Sequence, residues 1–222
     1  ANRILCYTET DRTRLEDRGI KSDITIIPNG IDCEQFKPSE PASTASNQVL
    51  FVGRLKEGKG VRFLIDAFNR LLTYHPETSL KIVGDGPQRS ELEQQCVEYG
   101  IRDRVSFTGD LSYDMMPDQY NESDIFVLPS LSEGLPRTVL ESLACETPVV
   151  TTALPQLESV VDGAGYTAPK RSIEEFVRSI DKLLSDPSLR TQMGKVGRER
   201  IMNRFSWDKT VKSTTETYYD VI

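Results

Sequence analysis

The stretch LSEGLPRTVLESLACETPVVT, residues 131–151, decides the fold of this chain. The apolar residues 125–128 just before it have the composition of a buried strand, and residues 149–151 have that of the next strand. Between them, a tight loop that contains Pro136 leads into a helix-forming run over residues 137–145. A strand, a loop, a helix and a second strand in this order predict one βαβ unit of a parallel sheet.

Two carboxylates in this unit are the first candidates for a binding site: Glu133 in the loop and Glu141 eight residues later in the helix. In a parallel α/β sheet, ligands bind beyond the carboxyl ends of the strands, which is where Glu133 falls. Pro136 fits the first helical position, and the free amides after it can hold an anion. Because carboxylates accept hydrogen bonds from sugar hydroxyls, the unit predicts a phosphate and a polyol bound side by side. The plainer alternative makes Glu133 an acid at a helix N-terminus and Glu141 a solvated helix residue.

The flanking sequence continues the alternation of strands and helices. Further strands are predicted at residues 4–7, 24–27, 49–52, 80–83 and 105–107. Further helices are predicted at residues 11–18, 61–72, 90–99, 112–121, 173–184, 188–203 and 207–220. Strands that alternate with helices at this spacing favour an α/β fold with a parallel sheet.

The overall composition excludes several classes of protein. The net charge of −7 and the pI near 5.0 argue against a nucleic-acid-binding protein, which would show a basic patch. No apolar run approaches the roughly 20 residues of a membrane-spanning helix. We therefore expect a cytoplasmic protein, and peripheral contact with a membrane stays open.

Histidine and cysteine are too sparse for the usual catalytic and metal sites. His75 is the only histidine of the chain, which argues against a Ser-His or Cys-His catalytic pair. The four cysteines show no paired spacing, so neither a disulfide framework nor a zinc site is expected. They are Cys6, Cys33, Cys96 and Cys145.

A glycine-rich loop, GRLKEGKG over residues 53–60, follows the strand predicted at residues 49–52. Gly53 allows the backbone to approach a ligand, and Arg54 and Lys59 bring positive charge. The loop nearly matches the Walker A pattern of P-loop ATPases. Gly60, however, stands where that pattern has the hydroxyl that holds Mg²⁺, so an ATPase is not favoured. From charge alone, the loop is either an anion site or a solvated basic turn.

A second loop, Gly84-Asp85-Gly86-Pro87, lies between a predicted strand and a predicted helix. The dinucleotide-binding pattern GxGxxG fails here, because Arg89 takes the place of the third glycine. The loop therefore predicts either a nucleotide contact or a simple turn with Pro87 near the helix start.

Six segments, taken in order along the chain, resemble the glycosyltransferase group 1 family of retaining GT-B enzymes. They are IIPNGID (26–32), VLFVGRLKEGKG (49–60), LKIVGDGP (80–87), VSFTG (105–109), SDIFVLPSLSEG (123–134) and FSWD (205–208). Glu133 and Glu141 match the Glu-x7-Glu signature of that family. The resemblance implies a Rossmann-like, doubly wound parallel sheet, the C-terminal domain of a GT-B enzyme, with a helical C-terminal end.

The resemblance also implies a role for each candidate residue. Glu133, Arg54 and Lys59 would act in catalysis, Glu133 on the transferred sugar and the two cations on the departing diphosphate. Glu141 would bind the ribose of the donor nucleotide. The other donor-binding positions would be Gly53, Gly84, Asp85, Gly86, Pro87, Thr108, Gly134, Leu135, Pro136, Arg137 and Thr138. The nucleoside diphosphate sugar would be the substrate, with no cofactor and no metal.

The resemblance, together with the Pro-, Ser- and Ala-rich composition of residues 37–48, indicates four parts of the chain. They are a tail of the first GT-B domain with its connection (1–36), a linker (37–48), a nucleotide-sugar donor-binding domain (49–205) and a C-terminal helix (206–222). Because the chain begins with Ala1 and lacks most of the acceptor-binding half, we expect a fragment. The acceptor, a glycan, a lipid-linked sugar or a small molecule, would bind through the missing domain.

One segment departs from the family pattern. Relatives carry a glycine pair and then a glutamate after the strand predicted at residues 149–151, where this chain has ALPQLE, residues 153–158. The departure favours one alternative to a glycosyltransferase, a non-catalytic nucleotide-sugar-binding module on the same scaffold. A GT-B nucleotide-sugar epimerase is the second alternative. The single histidine disfavours the epimerase, whose chemistry needs additional acid-base groups.

Overall fold

The computed structural model describes residues 3–39 and 47–220 of the chain. In chain order, its strands and helices are β1 (Arg3–Cys6), α1 (Glu9–Asp17), β2 (Asp23–Ile26), β3 (Gln48–Val52), α2 (Val61–Leu71), β4 (Ser79–Val83), α3 (Arg89–Glu98), β5 (Val105–Gly109), α4 (Met116–Asn121), β6 (Ile125–Leu128), α5 (Arg137–Ala144), β7 (Val149–Thr152), α6 (Pro155–Val161), β8 (Gly165–Ala168), α7 (Ile173–Ser185), α8 (Pro187–Arg204) and α9 (Trp207–Tyr219). Short 3-10 turns lie at Glu57–Lys59, Arg102–Arg104 and Tyr113–Met115. None of the helices in the described part is long and apolar enough to cross a membrane.

Six strands form one parallel sheet in the order β5-β4-β3-β6-β7-β8. Val49 of β3 pairs with Ile125 of β6, and Phe126 of β6 pairs with Val149 of β7. From β3, the chain adds β4 and β5 on one side of the sheet, and from β6 it adds β7 and β8 on the other side. The direction in which strands are added therefore reverses between β3 and β6. The Rossmann-like, doubly wound sheet implied by the resemblance is confirmed. In such sheets, ligands bind in the crevice outside the carboxyl ends of the strands at the reversal.

The core lies on both faces of this sheet. Every residue of β6 and of β7 is buried, as expected for parallel strands that are covered by helices on both sides. Helix α2 buries Val61, Leu64, Ile65 and Phe68, which recur at the spacing of one helical face. Helix α2 packs beside α7.

The structure contains a helix and a strand, α6 and β8, that the sequence did not predict. Strand β8 reads GYTA and lies at the sheet edge, so it offers no apolar run to detect. Gly165 fits there because a Cβ would lie 2.0 Å from the carbonyl oxygen of Val149. The single helix predicted at residues 112–121 is wrong in its first half, where the turn at Tyr113–Met115 precedes α4, a helix with proline in its first turn. The other predicted elements are present, with ends shifted by two residues at most.

The N-terminal segment is separate from the large sheet. Strands β1 and β2 form their own parallel pair. The segment after β2 contacts the C-terminal part of the chain. The Ile31 amide donates to the Phe205 carbonyl and the Trp207 amide donates to the Ile31 carbonyl, both at 2.8 Å. Of the predicted linker 37–48, residues 40–46 lie outside the described residues.

Candidate functional site

The loops after β3 and β4 are joined by close backbone contacts that require glycine. A Cβ on Gly84 would lie 2.2 Å from the carbonyl oxygen of Gly53, and a Cβ on Gly86 would lie 2.4 Å from that of Leu55. The Leu55 amide also donates to the Asp85 carbonyl at 2.9 Å. The structure therefore brings together the predicted donor-binding residues of the two loops, and packing alone explains the glycines at 84 and 86.

The glycine-rich loop is joined in the same way to the loop after β6. Gly60 has a φ of +69°, and a Cβ on it would lie 2.3 Å from the carbonyl oxygen of Pro129. The Leu131 amide donates to the Gly58 carbonyl at 2.9 Å. The two loops that border the reversal of strand order therefore form one unit.

A cavity of about 490 Å³ opens at the carboxyl ends of β3 and β4. Five predicted site residues line it: Gly53, Arg54, Gly84, Asp85 and Gly86. Asp110 and Leu111 directly after β5, and Met116 of α4, also line the cavity and were missed by sequence reasoning. Their place just beyond a predicted strand was the available signal. Pro87 and Thr108 are exposed and are not part of this lining.

Lys59 and Glu133, which were expected to contact different parts of a ligand, contact each other. Lys59 Nζ lies 2.6 Å from Glu133 Oε1, and the two side chains are 20% and 12% exposed. The main-chain carbonyl of Glu133 accepts a hydrogen bond from Gln156 Nε2 at 2.5 Å. Gln156 lies in the segment 153–158, which lacks the family's glycine pair. That segment therefore contacts the Glu133 loop through the Gln156 side chain.

Arg54 and the start of α5 offer further groups to an anion. Arg54 is exposed at the cavity and forms no ion pair with another residue in the described ranges. Pro136 takes the N-cap position of α5, with φ −71° and ψ 119°, one residue before the expected first helical position. Because the first N–H groups of a helix have no partner within it, those of Arg137 and Thr138 are open to an acceptor.

In the loop just before α5, Gly134 is open and Leu135 is packed. A Cβ on Gly134 would meet nothing within 4 Å, so packing does not require glycine there and the backbone stays open. Leu135 is buried, and its carbonyl accepts from Asn29 Nδ2 at 3.4 Å. The loop therefore presents its main chain at Gly134 and is anchored one residue later.

Glu141 is a buried carboxylate, 4% exposed, and not a solvated helix residue. Its Oε2 accepts from the Tyr120 hydroxyl at 2.9 Å, and its Oε1 accepts from the Tyr113 hydroxyl at 3.1 Å. Arg137 Nε lies 3.8 Å from Oε1. Burial raises the pKa of Glu141 above its ordinary value, and the hydrogen bonds from Tyr120 and Tyr113 and the charge of Arg137 oppose this shift.

Sequence reasoning missed both tyrosines. Burial, together with the charge of Glu141, raises the pKa of Tyr113 to about 12 and that of Tyr120 well above its ordinary value. Both hydroxyls therefore keep their protons at neutral pH and act as donors to the carboxylate. Each oxygen of Glu141 therefore already accepts a hydrogen bond within the chain.

The chain matches the family of glycosyl transferases group 1 over residues 32–200. It is 31% identical over 201 residues to glycogen synthase of Mycobacterium tuberculosis, a match that covers 89% of this chain and 48% of that protein. The chain spans about half the length of the curated relatives it matches.

Solved structures show the same fold. Sucrose-phosphate synthase from Thermosynechococcus elongatus superposes with a TM-score of 0.89 at 26% identity, over 100% of this chain and 58% of that chain. HepE of Anabaena, in a crystal structure with UDP and glucose, superposes with a TM-score of 0.90 at 21% identity, over 99% of this chain and 64% of that chain.

The fold and the crevice define an α/β chain of the Rossmann-like GT-B type, with its candidate site at the reversal of strand order. The family match extends over more than half of the chain and includes both carboxylates of the Glu-x7-Glu pattern. The chain belongs to the glycosyl transferases group 1 family.

Proposed function

We propose that this chain is the donor-binding half of a retaining glycosyltransferase, which moves a sugar from a nucleoside diphosphate sugar to an acceptor hydroxyl. The observation that carries the proposal is the 2.6 Å contact between Lys59 and Glu133. It sets an ammonium group and a carboxylate side by side just before α5, whose free amides favour an anion. A diphosphate attached to a sugar needs both kinds of group at one place.

Lys59 serves both parts of the donor. An ammonium group has three N–H donors, so Lys59 can hold Glu133 Oε1 with one and a phosphate oxygen with another. Arg54, which lines the cavity, adds a second cation. As the bond between the anomeric carbon and the phosphate oxygen breaks, negative charge develops on the diphosphate. Cations fixed beside it stabilise that charge without a metal ion.

Glu133 orients the sugar. Its Oε1 is bound to Lys59, which leaves Oε2 to accept from a sugar hydroxyl. Gln156 holds the main chain of Glu133 from α6, so the carboxylate stays in place without the family's glycine pair. In the transfer step, the anomeric carbon loses the phosphate oxygen and gains the acceptor oxygen on the same face. The leaving phosphate takes the acceptor proton.

The nucleoside lies in the cavity between the loops after β3 and β4. The close backbone contacts at Gly84 and Gly86 hold together the two loops that line this cavity. Glu141 accepts from the ribose hydroxyls, and the first amides of α5 at Arg137 and Thr138 bind the diphosphate. The UDP found with HepE of Anabaena makes uracil the first base to test.

The four-part division of the chain is part of the proposal, and the β1–β2 pair supports it. Two parallel strands alone leave faces and edges to be covered, and parallel sheets are normally buried. Trp207 at the start of α9 is 56% exposed, and Tyr7 just after β1 is exposed as well. We expect a preceding GT-B domain to cover this surface and to bring the acceptor, which is a glycan, a lipid-linked sugar or a small molecule.

Calorimetric titration of the chain with UDP, GDP and ADP tests donor binding. We expect one nucleotide to bind without Mg²⁺. The variant Arg54→Ala/Lys59→Ala should bind it about tenfold more weakly or worse, because hydrogen bonds to charged groups contribute roughly 1.5–3 kcal/mol. Lys195→Ala/Lys212→Ala removes the same charge from exposed positions on α8 and α9 and should bind normally. Binding of none of the three nucleotides, or an equal loss in the control, contradicts the proposal.

The two alternative functions give other results with a protein that also carries the preceding half. A non-catalytic module would bind the nucleotide sugar and transfer nothing. An epimerase would convert the nucleotide sugar in the absence of an acceptor, which NMR detects. Transfer to an acceptor with retention of the anomeric configuration excludes both.

A further inference from the structure

Two tyrosine hydroxyls hold Glu141, and they differ in exposure. Tyr120 lies on α4, is fully buried and donates to Glu141 Oε2 at 2.9 Å. Tyr113 lies in the 3-10 turn before α4, is 44% exposed and donates to Oε1 at 3.1 Å. Of the two, Tyr113 is therefore the one that can leave Glu141 without opening the core.

The Tyr113 hydroxyl also binds a second residue of the candidate site, Arg137. Arg137 Nη2 donates to it at 2.7 Å, and the Arg137 guanidinium lies 5.4 Å from the centroid of the Tyr113 ring. A hydroxyl carries one proton and accepting lone pairs, so Tyr113 donates to Glu141 while it accepts from Arg137. Both partners are residues that the proposed function assigns to the donor nucleotide.

The ring of Tyr113 is held independently of its hydroxyl. It packs on Phe36, with the ring centroids 5.3 Å apart and the planes inclined by 54°. Phe36 is fully buried, and its carbonyl accepts from Arg198 at 3.1 Å. The ring thus packs on a fixed residue and is partly exposed to solvent, so it can turn outward while Phe36 stays in place.

We propose that the Tyr113 hydroxyl stands in for a ribose hydroxyl in the unliganded chain and competes with the ribose of the donor nucleotide for Glu141. The inference rests on the proposed function and makes Tyr113 a residue that sets donor affinity and the preference for ribose. A ribose hydroxyl that donates to Oε1 replaces the Tyr113 donor one for one. Glu141 then keeps two donors in both states and is never a buried carboxylate left short of partners. The release of Tyr113 also frees Arg137 for a phosphate oxygen.

The variant Tyr113→Phe tests this competition, because it removes the hydroxyl and keeps the ring on Phe36. We expect the affinity for the best-binding ribonucleoside diphosphate to rise about twofold to tenfold, the range of one exchanged hydrogen bond. The 2′,3′-dideoxy form of the same nucleotide has no hydroxyl with which to compete. It should therefore gain less affinity from the substitution than the ribonucleotide does.

Tyr120→Phe is the matched control on the other oxygen of Glu141. It removes a buried donor that the ribose does not replace, so the affinity for the ribonucleotide should fall. Thermal unfolding of both variants, measured alongside, separates a folding defect from an effect on binding. Opposite changes in ribonucleotide affinity for two Tyr→Phe substitutions on one carboxylate are not expected from a merely structural role.

An unchanged or lower ribonucleotide affinity of Tyr113→Phe overturns the inference, and so does an equal rise for the dideoxy form. If the unsubstituted chain binds nucleotide and Arg54→Ala/Lys59→Ala does not, such a result rejects the role of Tyr113 and leaves the donor-binding function standing. If the unsubstituted chain binds no nucleotide, both are rejected.

Discussion

The two ends of the candidate site carry the same functional group in different settings. Glu141 lies inside α5, buried, with a tyrosine hydroxyl on each oxygen. Glu133 lies in a loop, with its carboxylate on Lys59 and its main chain on Gln156. Burial raises the pKa of Glu141, and the two tyrosine hydroxyls and Arg137, whose Nε lies 3.8 Å from Oε1, oppose this shift. Glu133 has its cation closer, since Lys59 Nζ lies 2.6 Å from Oε1. Two acids eight residues apart thus acquire different chemistry from their neighbours, not from their spacing.

Replacing each carboxylate in turn should give the largest difference between the two ends. Glu141→Ala should weaken nucleoside diphosphate binding by about tenfold to a hundredfold, because it removes the charged acceptor for the ribose. Glu133→Ala should keep that affinity, since Lys59 retains its charge, and should bind the nucleotide sugar more weakly. Calorimetry of both variants with both ligands measures this. Equal losses across all four titrations would mean that the two carboxylates do not divide the donor between them.

A smaller effect is expected at the Glu133 end from Gln156→Ala. The loss of one hydrogen bond to the Glu133 main chain should lower the affinity for the nucleotide sugar by about twofold to tenfold and spare the nucleoside diphosphate. Gln94→Ala, on the exposed side of α3, is the control. If Gln156→Ala weakens the binding of both ligands alike, α6 supports the whole site and the contrast between its ends is lost.

The smallest expected effect is a pH dependence of stability at the Glu141 end. Because its pKa is raised in the folded chain, Glu141 contributes most to the free energy of unfolding below its unfolded pKa. This contribution is lost as the pH rises through the folded pKa. Glu141→Gln is neutral at every pH and should not lose it, so the variant should gain stability relative to the unsubstituted chain as the pH rises. Thermal unfolding of both chains at pH values from the unfolded pKa of Glu141 to above its folded pKa measures this change. A difference in stability that stays constant with pH would contradict a raised pKa of a buried Glu141.

The frame of the site could be predicted from the sequence. The apolar runs of β6 and β7 and the helical period of α2 are local patterns, and each reappears in the structure. Glu133 was identified because it follows a strand. The resemblance set out from the six segments is confirmed by the family match over residues 32–200.

The contacts that give the two carboxylates their character could not be predicted. Lys59 and Glu133 are 74 residues apart, and Tyr113 and Tyr120 reach Glu141 across 28 and 21 residues. Nothing in the sequence around a tyrosine marks it as a donor to a distant acid. Such contacts depend on how neighbouring strands and helices are placed in the folded sheet.

With serine or threonine in place of Gly60, the loop would match the Walker A pattern completely. The backbone at Pro129 leaves no space for that side chain. A serine at this position would place its Cβ 2.3 Å from the Pro129 carbonyl oxygen, at a φ of +69° that side chains rarely adopt. A mutational path from this loop towards a magnesium-dependent nucleotide hydrolase would therefore have to rebuild the loop after β6 first. In this scaffold, the eighth residue of the loop therefore decides against a P-loop, although the seven residues before it agree with the Walker A pattern.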